Sequence, residues 1–247
     1  MVRMGAGSVN AKPCNSARFS PALTNNTALD DGGRRMRSYS RLDHLLDRAD
    51  SLLRAATRTG SAQLRPTPGV ELPDNPLASG ARQRAAGLMR VNHAGEVCAQ
   101  ALYVGQAVLA RDPDNRMALL AAAREESDHL HWCEQRLAEL HSRGSRLDPL
   151  WFAGSCVIGM AAAASGDRLS LGFVEETERQ VVRHLDRHLG LLPEEDLRSR
   201  AIVASMRADE ERHANEALGR GAARLSGPLR WLMTQTARIM TSTSYRI

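Results

Sequence analysis

Apolar side chains recur every three or four residues along most of the chain from residue 81 onward, and this spacing predicts amphipathic helices. Four long helices are expected, at about 81–110, 116–142, 167–190 and 196–220. The stretches RDPDN at 111–115 and GLLPEED at 190–196 each carry a proline beside acidic residues, which favours a turn between consecutive helices. The pattern therefore predicts an all-α protein built from two helical hairpins.

Two further apolar segments do not fit these four helices. Residues 149–166, PLWFAGSCVIGMAAAASG, carry no charge, but glycines and other small residues interrupt them, so they make a poor membrane span. They are expected to form either a buried connection or an interfacial segment. Residues 227–247 are basic and amphipathic. For both segments, binding at a membrane interface and ordinary packing against the bundle are the two alternatives.

The N-terminal third has a different pattern. Residues 1–38 are rich in Ser, Asn, Gly and Arg, which predicts a disordered extension; a targeting peptide and a start assigned too far upstream are the alternatives. Residues 39–57 carry a leucine stripe and predict a short amphipathic helix, and a Pro- and Gly-rich linker follows up to residue 80. The bundle with its C-terminal amphipathic segment is thus expected over 81–247.

Composition narrows the function classes. The 247 residues are 43% hydrophobic, enough for a sizeable core, and only 4% aromatic, which favours helices over a β-sandwich. The net charge is +5, and almost all of the positive charge comes from arginine, since Lys12 is the only lysine. No stretch interleaves basic and aromatic residues in the way of single-stranded nucleic-acid binders, so no nucleic-acid partner is expected.

Two Glu-x-x-His motifs lie on the apolar stripes of the second and fourth predicted helices. The stripes follow spacings of three and four residues, through Ala122, Glu126, His129, Cys133, Leu137 and Leu140, and through Ile202, Met206, Glu210, His213 and Ala217. A buried, unpaired carboxylate is energetically costly. Two of them, each one turn before a histidine, indicate a bound cation.

The other two helices offer further carboxylates. Glu96 is the only acid in RVNHAGEVCAQALY of the first helix. In the third helix, Glu178 lies on the apolar stripe and is the preferred candidate; Glu175 lies on a slightly rotated stripe and is the alternative, while Glu176 is expected to face solvent. The two pairs of helices therefore repeat one scheme, in which a glutamate is followed by a Glu-x-x-His motif.

The turns lie midway between the paired glutamates, near residues 111 and 194. Each glutamate is about 15 residues from its turn, or roughly 22 Å along a helix, so four glutamates and two histidines are expected in one layer. Together with one long crossover, this is the ferritin-like arrangement of two-metal carboxylate proteins. The oxygen-rich ligand set favours iron, since zinc usually recruits more histidine or cysteine.

Further polar residues lie near the expected ligands or elsewhere on the same helices. Three are candidates for contacts to a ligand or substrate, with a packed or, for His184, an exposed position as the alternative: Tyr103, Asn92 and His184. Four other histidines are expected to be surface or packing residues: His93, His131, His141 and His188. Three residues of the second helix lie away from its apolar stripe and are expected to be solvated: Glu125, Asp128 and His131.

Four segments resemble the demethoxyubiquinol hydroxylases of ubiquinone biosynthesis: GLMRVNHAGEVCAQALYVGQ, AREESDHLHWCEQRL, SLGFVEETERQVVRHLDRHL and MRADEERHANEAL. The terminal MTSTSYRI is also similar, and the resemblance extends over about 39–247. It implies a ferritin-like fold with two iron ions at the matching positions, without departure at any of the six: Glu96, Glu126, His129, Glu178, Glu210 and His213.

The resemblance also implies a reaction and partners. A prenylated quinol is hydroxylated at its demethoxy position with O₂; one oxygen atom enters the ring, the other leaves as water, and electrons come from NADH or the quinol. It implies peripheral association with the cytoplasmic side of a bacterial inner membrane, or with the matrix side of the mitochondrial one, and a ubiquinone-biosynthesis complex or homo-oligomer. A ferritin-like iron oxidase or storage protein and a metal-free helical scaffold are the competing hypotheses.

Overall fold

The computed structural model describes Asp50 and residues 65–247, and within them it contains helices and no strand. The predicted all-α class is confirmed. The helices are α1 (Ser79–Leu109), α2 (Pro113–Glu139), α3 (Asp148–Ala164), α4 (Asp167–Leu191), α5 (Leu197–Gly219) and α6 (Gly227–Ser244). The predictions for residues 1–38, and for the helix at 39–57 apart from helical Asp50, lie outside the described residues.

Capping side chains decide where two of the long helices begin. α2 begins three residues earlier than predicted, because the Asp112 carboxylate accepts a hydrogen bond from the Asp114 N–H at 2.9 Å. Pro113 occupies the first turn, where a missing N–H is tolerated. Asp196 caps α5 in a similar way and accepts from the Ser199 N–H at 3.0 Å. The two turns connect α1 to α2 and α4 to α5; the first is shorter than predicted, since residues 113–115 of RDPDN belong to α2.

The crossover between the hairpins contains a helix, α3, which packs along α1. Two glycines allow the backbones to approach closely. A Cβ atom added at Gly105 would lie 2.3 Å from the carbonyl oxygen of Cys156, and one added at Gly159 would lie 2.4 Å from that of Leu102. The small residues of the apolar run therefore serve helix packing. No helix between residues 79 and 244 has the length and hydropathy needed to cross a bilayer.

Two apolar clusters fill the bundle on either side of a polar layer. The first includes Met89, Trp132, Leu185 and Met206, and the second includes Ala99, Tyr103, Val174 and Ala217. Every long helix passes from one cluster to the other through a predicted ligand; in α1, for example, Glu96 lies between Met89 and Ala99. The charged side chains are thus held in a layer that apolar packing closes from both ends.

Residues 65–78, which we name the strap segment, precede α1 and lie against α2 and α5. Thr67 donates to the side-chain oxygen of Gln135 at 2.7 Å, and Arg198 donates to the carbonyl oxygen of Leu72 at 2.9 Å. Buried Arg136 donates to Asp74 at 2.9 Å and, through another nitrogen, to Asp196 at 2.8 Å. One arginine of α2 therefore joins the strap segment to the cap of α5.

Candidate metal centre

The structure brings the six predicted ligands together between the two apolar clusters. They come from four different helices, with Glu96 on α1 and Glu178 on α4, and with one Glu-x-x-His motif on each of α2 and α5. None of them is more than 4% exposed: Glu96, Glu126, His129, Glu178, Glu210 and His213. Each glutamate lies about the same number of residues from its turn, and the four therefore lie in one layer across the bundle, as expected.

Two glutamates lie between the two histidines. His129 Nδ1 is 3.0 Å from Glu126 Oε2 and 3.2 Å from Glu210 Oε1. His213 Nδ1 is 3.5 Å from Glu126 Oε1 and 3.3 Å from Glu210 Oε2. Glu126 and Glu210 thus each present one oxygen to each histidine, so both carboxylates lie between the two halves of the layer. Glu96 lies on the His129 side, with its Oε2 3.6 Å from His129 Nδ1.

Glu178 occupies the other end of this layer. Tyr103, one of the three candidate neighbours, donates its hydroxyl hydrogen to Glu178 Oε1 at 2.6 Å. The Glu178 carboxyl is 2% exposed and interacts electrostatically with Glu210 and His213. The alternative, Glu175, instead pairs with Arg179 of the same helix, and its side chain is 20% exposed. The inner position on α4 therefore belongs to Glu178.

The donor set fits a cation. One ligand atom from each of four residues, Glu96, Glu126, His129 and Glu210, lies within 4.8 Å of the others. Three buried carboxylate oxygens, Glu126 Oε1, Glu178 Oε2 and Glu210 Oε1, accept no hydrogen bond within the described part of the chain. Such oxygens are expensive to bury unless a positive charge lies beside them. The chemistry of the layer therefore suits a bound cation.

The crowding of carboxylates shifts the acid–base equilibria of the layer. Burial, aided by the negative charge of Glu210, raises the pKa of Glu126 and of Glu178 well above the ordinary value. Burial opposes protonation of His213, but its hydrogen bond with Glu210 and the surrounding carboxylates raise its pKa to about 9. Without a metal, protons balance the negative charge. A bound cation must displace these protons, so metal affinity should rise with pH.

Each histidine is oriented by an acid that directly precedes the Glu-x-x-His motif of the other helix. The sequence analysis did not predict this role. His129 Nε2 lies 3.0 Å from Asp209 Oδ2, and His213 Nε2 lies 3.2 Å from Glu125 Oε2. An Nε2–H that donates to a carboxylate leaves Nδ1 free to bind a metal. A signal was present in the sequence, because Glu125 and Asp209 each directly precede a predicted ligand glutamate.

Three expectations of solvent exposure are wrong. Asp128 is 2% exposed, because Arg65 of the strap segment covers it at 3.3 Å. Glu125 is half-buried against His213 and Arg212 of α5. Glu176 is 8% exposed and accepts a hydrogen bond from Gln180, and Arg230 at the start of α6 lies 3.9 Å away. In each case a neighbouring segment covers a helix face that periodicity assigned to water, whereas His131 is exposed as predicted.

The other two candidate neighbours lie away from the ligands. Asn92 interacts with His188, whose Nδ1 is 2.7 Å from Asn92 Oδ1, so of the two alternatives for this residue the structure favours packing over contact with a ligand. The His184 ring lies 3.9 Å from that of His188, and both line a separate cavity of about 420 Å³. His93 is a buried packing residue, 3.2 Å from Asp148.

Comparison with known proteins identifies the family. The family model described as Ubiquinone biosynthesis protein COQ7 matches residues 83–244. The chain belongs to this family. The matched range contains all six candidate ligands and five of the six helices entirely. The resemblance inferred from the residues is therefore confirmed, and the all-helical architecture is consistent with the ferritin-like bundle that it implied.

Individual relatives are similar over nearly their whole length. A 3-demethoxyubiquinol 3-hydroxylase of Ralstonia pickettii (strain 12J) is 52% identical over 217 residues, which cover 83% of this chain and 100% of the relative. The protein of the same name from Acidovorax sp. (strain JS42) is 54% identical over 209 residues, with the same coverage. That of Azotobacter vinelandii is 51% identical over 211 residues, covering 85% of this chain and 98% of the relative.

Proposed function

We propose that this chain is a 3-demethoxyubiquinol 3-hydroxylase, an O₂-dependent monooxygenase of ubiquinone biosynthesis with two iron ions as its cofactor. The observation that carries the proposal is the buried layer of four glutamates and two histidines. It occurs in a chain that is 52% identical to a hydroxylase of this name over the whole length of that relative. Family membership supports the reaction, and the chemistry of the layer supports the cofactor.

The proposed ligands divide into two sets. Glu96 and His129 would hold one iron, Glu178 and His213 would hold the other, and Glu126 and Glu210 would bridge the two. Four carboxylates carry four negative charges, which two ferrous ions neutralise if both imidazoles are neutral. This balance removes the electrostatic cost of burying the layer, and imidazole and carboxylate oxygens are ligands that iron accepts.

The reaction replaces a ring C–H bond of the quinol by C–OH. One atom of O₂ enters the ring and the other leaves as water; two electrons, from NADH or from the quinol itself, and two protons complete the balance. When bound, the irons supply O₂ activation and electron transfer. The protein orients both imidazoles through Asp209 and Glu125, and apolar clusters on both sides exclude water from the layer.

A small cavity adjoins the His213 half of the layer. A cavity of about 40 Å³ is lined by Tyr103, Leu171, Val174, His213 and Ala217. It exceeds the roughly 10–15 Å³ that a water molecule occupies, but it is far below the roughly 300 Å³ of the smallest common ligand sites. A molecule as small as O₂ could therefore enter beside His213. Binding of the quinol ring at this position would require the surrounding helices to move apart.

A prenylated substrate resides in a membrane, and the chain has an apolar surface suited to one. The exposed apolar residues of α3 and α6 include Leu150, Val157, Trp231, Leu232 and Ile239. The two helices adjoin, since Trp151 donates to the Ser244 hydroxyl at 3.1 Å. We infer peripheral attachment to the cytoplasmic side of the bacterial inner membrane, as the curated relatives are bacterial, with the mitochondrial inner membrane as the alternative.

Quinone profiling of a deletion strain tests the reaction. We expect the strain to accumulate demethoxyubiquinone, and the wild-type chain to restore ubiquinone. Unchanged quinone composition in the deletion strain would contradict the proposed function. Assembly of the purified protein into a large cage that stores iron would instead support the iron-storage alternative.

A matched pair of variants tests the ligand set. Glu178→Ala removes a carboxylate from the layer, so we expect it to lose iron and to fail to restore ubiquinone. Glu175→Ala only removes the partner of Arg179 on the same helix and should retain both properties. Iron per chain is measured by elemental analysis. Full iron content and full hydroxylation in Glu178→Ala would exclude the role proposed for that residue.

A further inference from the structure

Arg65 reaches from the strap segment to the outer side of the His129 half of the layer. Its Nη1 donates to Asp209 Oδ2 at 2.8 Å and its Nε to Asp128 Oδ2 at 3.3 Å. The guanidinium carbon lies 4.7 Å from the ring centroid of Trp132, within the range of a cation–π contact. Trp132 in turn donates its indole N–H to the Arg65 carbonyl oxygen at 3.4 Å. These contacts define both the position and the plane of the guanidinium.

One oxygen of Asp209 joins Arg65 to the proposed ligand. Asp209 Oδ2, which accepts from Arg65, also lies 3.0 Å from His129 Nε2. Arg65 Nη2 is 3.2 Å from the same His129 nitrogen, but a guanidinium can only donate. When Nε2 carries its proton, that proton must therefore point to Asp209, and Nδ1 faces the glutamates. A displacement of Asp209 would change the direction of the His129 ring.

The two halves of the layer differ in how the outer acid is held. Glu125, beside His213, pairs with Arg212, which lies on α5 together with His213 itself. Asp209, beside His129, pairs on one oxygen with Arg212 and on the other with Arg65, which lies outside the four long helices. The Asp209 side chain is 14% exposed and that of Glu125 33%. Among the residues described from 65 onward, the strap segment thus contacts the outer acid at His129 and not the one at His213.

We propose that Arg65 is a positioning residue for the His129 half of the metal centre: it holds Asp209, and through it the His129 ring, and so couples docking of the strap segment to metal binding in that half. The inference rests on the proposed two-iron centre. Outer partners of metal-bound histidines commonly affect metal affinity by about 10–100-fold. Because Asp209 and its contact with Arg212 remain when Arg65 is removed, the effect should lie near the lower limit.

The test uses the full chain loaded with ⁵⁷Fe. Iron release to a chelator gives a rate for each ion, and Mössbauer spectra report the surroundings of each iron separately. In Arg65→Ala we expect one of the two irons to leave about 10-fold faster and one of the two signals to change. Arg65→Lys keeps the charge but lacks the planar group that reaches Asp128 and Asp209 together, so its release rate should be intermediate.

Arg198→Ala is the matched control. Arg198 also holds the strap segment, through the Leu72 carbonyl oxygen, but its recorded polar partners are Leu72 and Glu139 rather than Asp209 or His129. In this variant Thr67 and Asp74 keep their contacts with Gln135 and Arg136, so Arg65 stays in place and both irons should be released at wild-type rates. Wild-type rates and spectra in Arg65→Ala would overturn the inference, and so would an equal effect of Arg198→Ala, which would assign the effect to docking alone.

Two further outcomes are distinguished by the same measurements. Circular dichroism shows whether Arg65→Ala folds. If it does not, Arg65→Lys is compared with Arg198→Ala instead. Faster release of one iron in the lysine variant alone supports the inference, and equal release rates in the two variants overturn it. A wild-type chain that folds but binds no iron would contradict the proposed metal centre itself. Two irons bound by wild type and held equally by every variant would contradict only the role of Arg65.

Discussion

Two pairs of histidines lie in the interior of the same bundle, and their surroundings shift their pKa values in opposite directions. His129 and His213 are surrounded by carboxylates, which raise the pKa of both rings in spite of burial. His184 and His188 lie against each other and near Arg187; burial and this positive charge lower their pKa values to about 4 and about 3. Burial of a histidine therefore does not by itself indicate a ligand.

The difference lies in what surrounds each ring. Both nitrogens of His129 and of His213 face carboxylates, one toward the layer and one toward an outer acid. His188 has a neutral partner, Asn92, and His184 Nε2 is buried without a hydrogen-bond partner in the described region. In the described part of the chain, acids outnumber cations around the first pair but not around the second, so we expect a metal at the first pair alone. Three predictions test the contrast, in order of decreasing effect.

Matched substitutions of one histidine from each pair should give the largest difference. His213→Gln removes a proposed ligand, so we expect loss of iron and a fall in hydroxylation beyond the roughly 10–100-fold typical of an outer partner. His188→Gln replaces a ring that faces Asn92 and should retain two irons per chain. Elemental analysis and product formation measure the two effects. Equal iron content in the two variants would remove the distinction between the pairs.

Tyr103→Phe tests the hydrogen bond between Tyr103 and Glu178, one of the carboxylates that surround the first pair. In the metal-free protein it leaves Glu178 Oε1 without its donor at 2.6 Å. We expect a loss of about 1 to 3 kcal/mol in the free energy of unfolding, because a buried acceptor is left without a hydrogen-bond donor. Urea unfolding measures it, with Tyr245→Phe, at 40% exposure, as the control. A loss below that of the control would show that this hydrogen bond contributes nothing to stability.

The low pKa of His184, in the second pair, predicts that the stability of the chain depends on pH. His184 has a pKa of about 4 in the folded chain, below its ordinary value of 6.5, so the unfolded chain takes up its proton first. Stability is lost as pH falls below 6.5, and the loss is complete near pH 4. Between pH 7 and 5 we expect roughly 1 to 2 kcal/mol from this residue.

His184→Gln measures that contribution. Urea unfolding at pH 7 and at pH 5 should give a smaller loss of stability in the variant than in the wild-type chain, because glutamine does not titrate. His131→Gln is the control, since His131 is exposed and should leave the difference unchanged. The same loss in all three proteins would mean that His184 titrates as it does in water.

Helix periodicity and turn position predicted the buried layer of glutamates and histidines because both are local properties of the chain. The stripe of α2 and that of α5 placed Glu126 and Glu210 inside, and the turns placed all four glutamates at one height. The same reasoning failed for Asp128 and Glu176. Periodicity separates an inner from an outer helix face, but it does not reveal that the strap segment or α6 covers the outer one.

The sequence by itself determined the class of fold, the family and the six residues of the layer, since these follow from spacing and from motifs within single helices. Only the tertiary structure decided the partners of those residues. Asp209 meets His129 from 80 positions away, and Arg65 meets Asp209 from 144 positions away. The pairing of outer acids across helices and the contact of the strap segment depend on packing between distant segments, for which no local pattern is diagnostic.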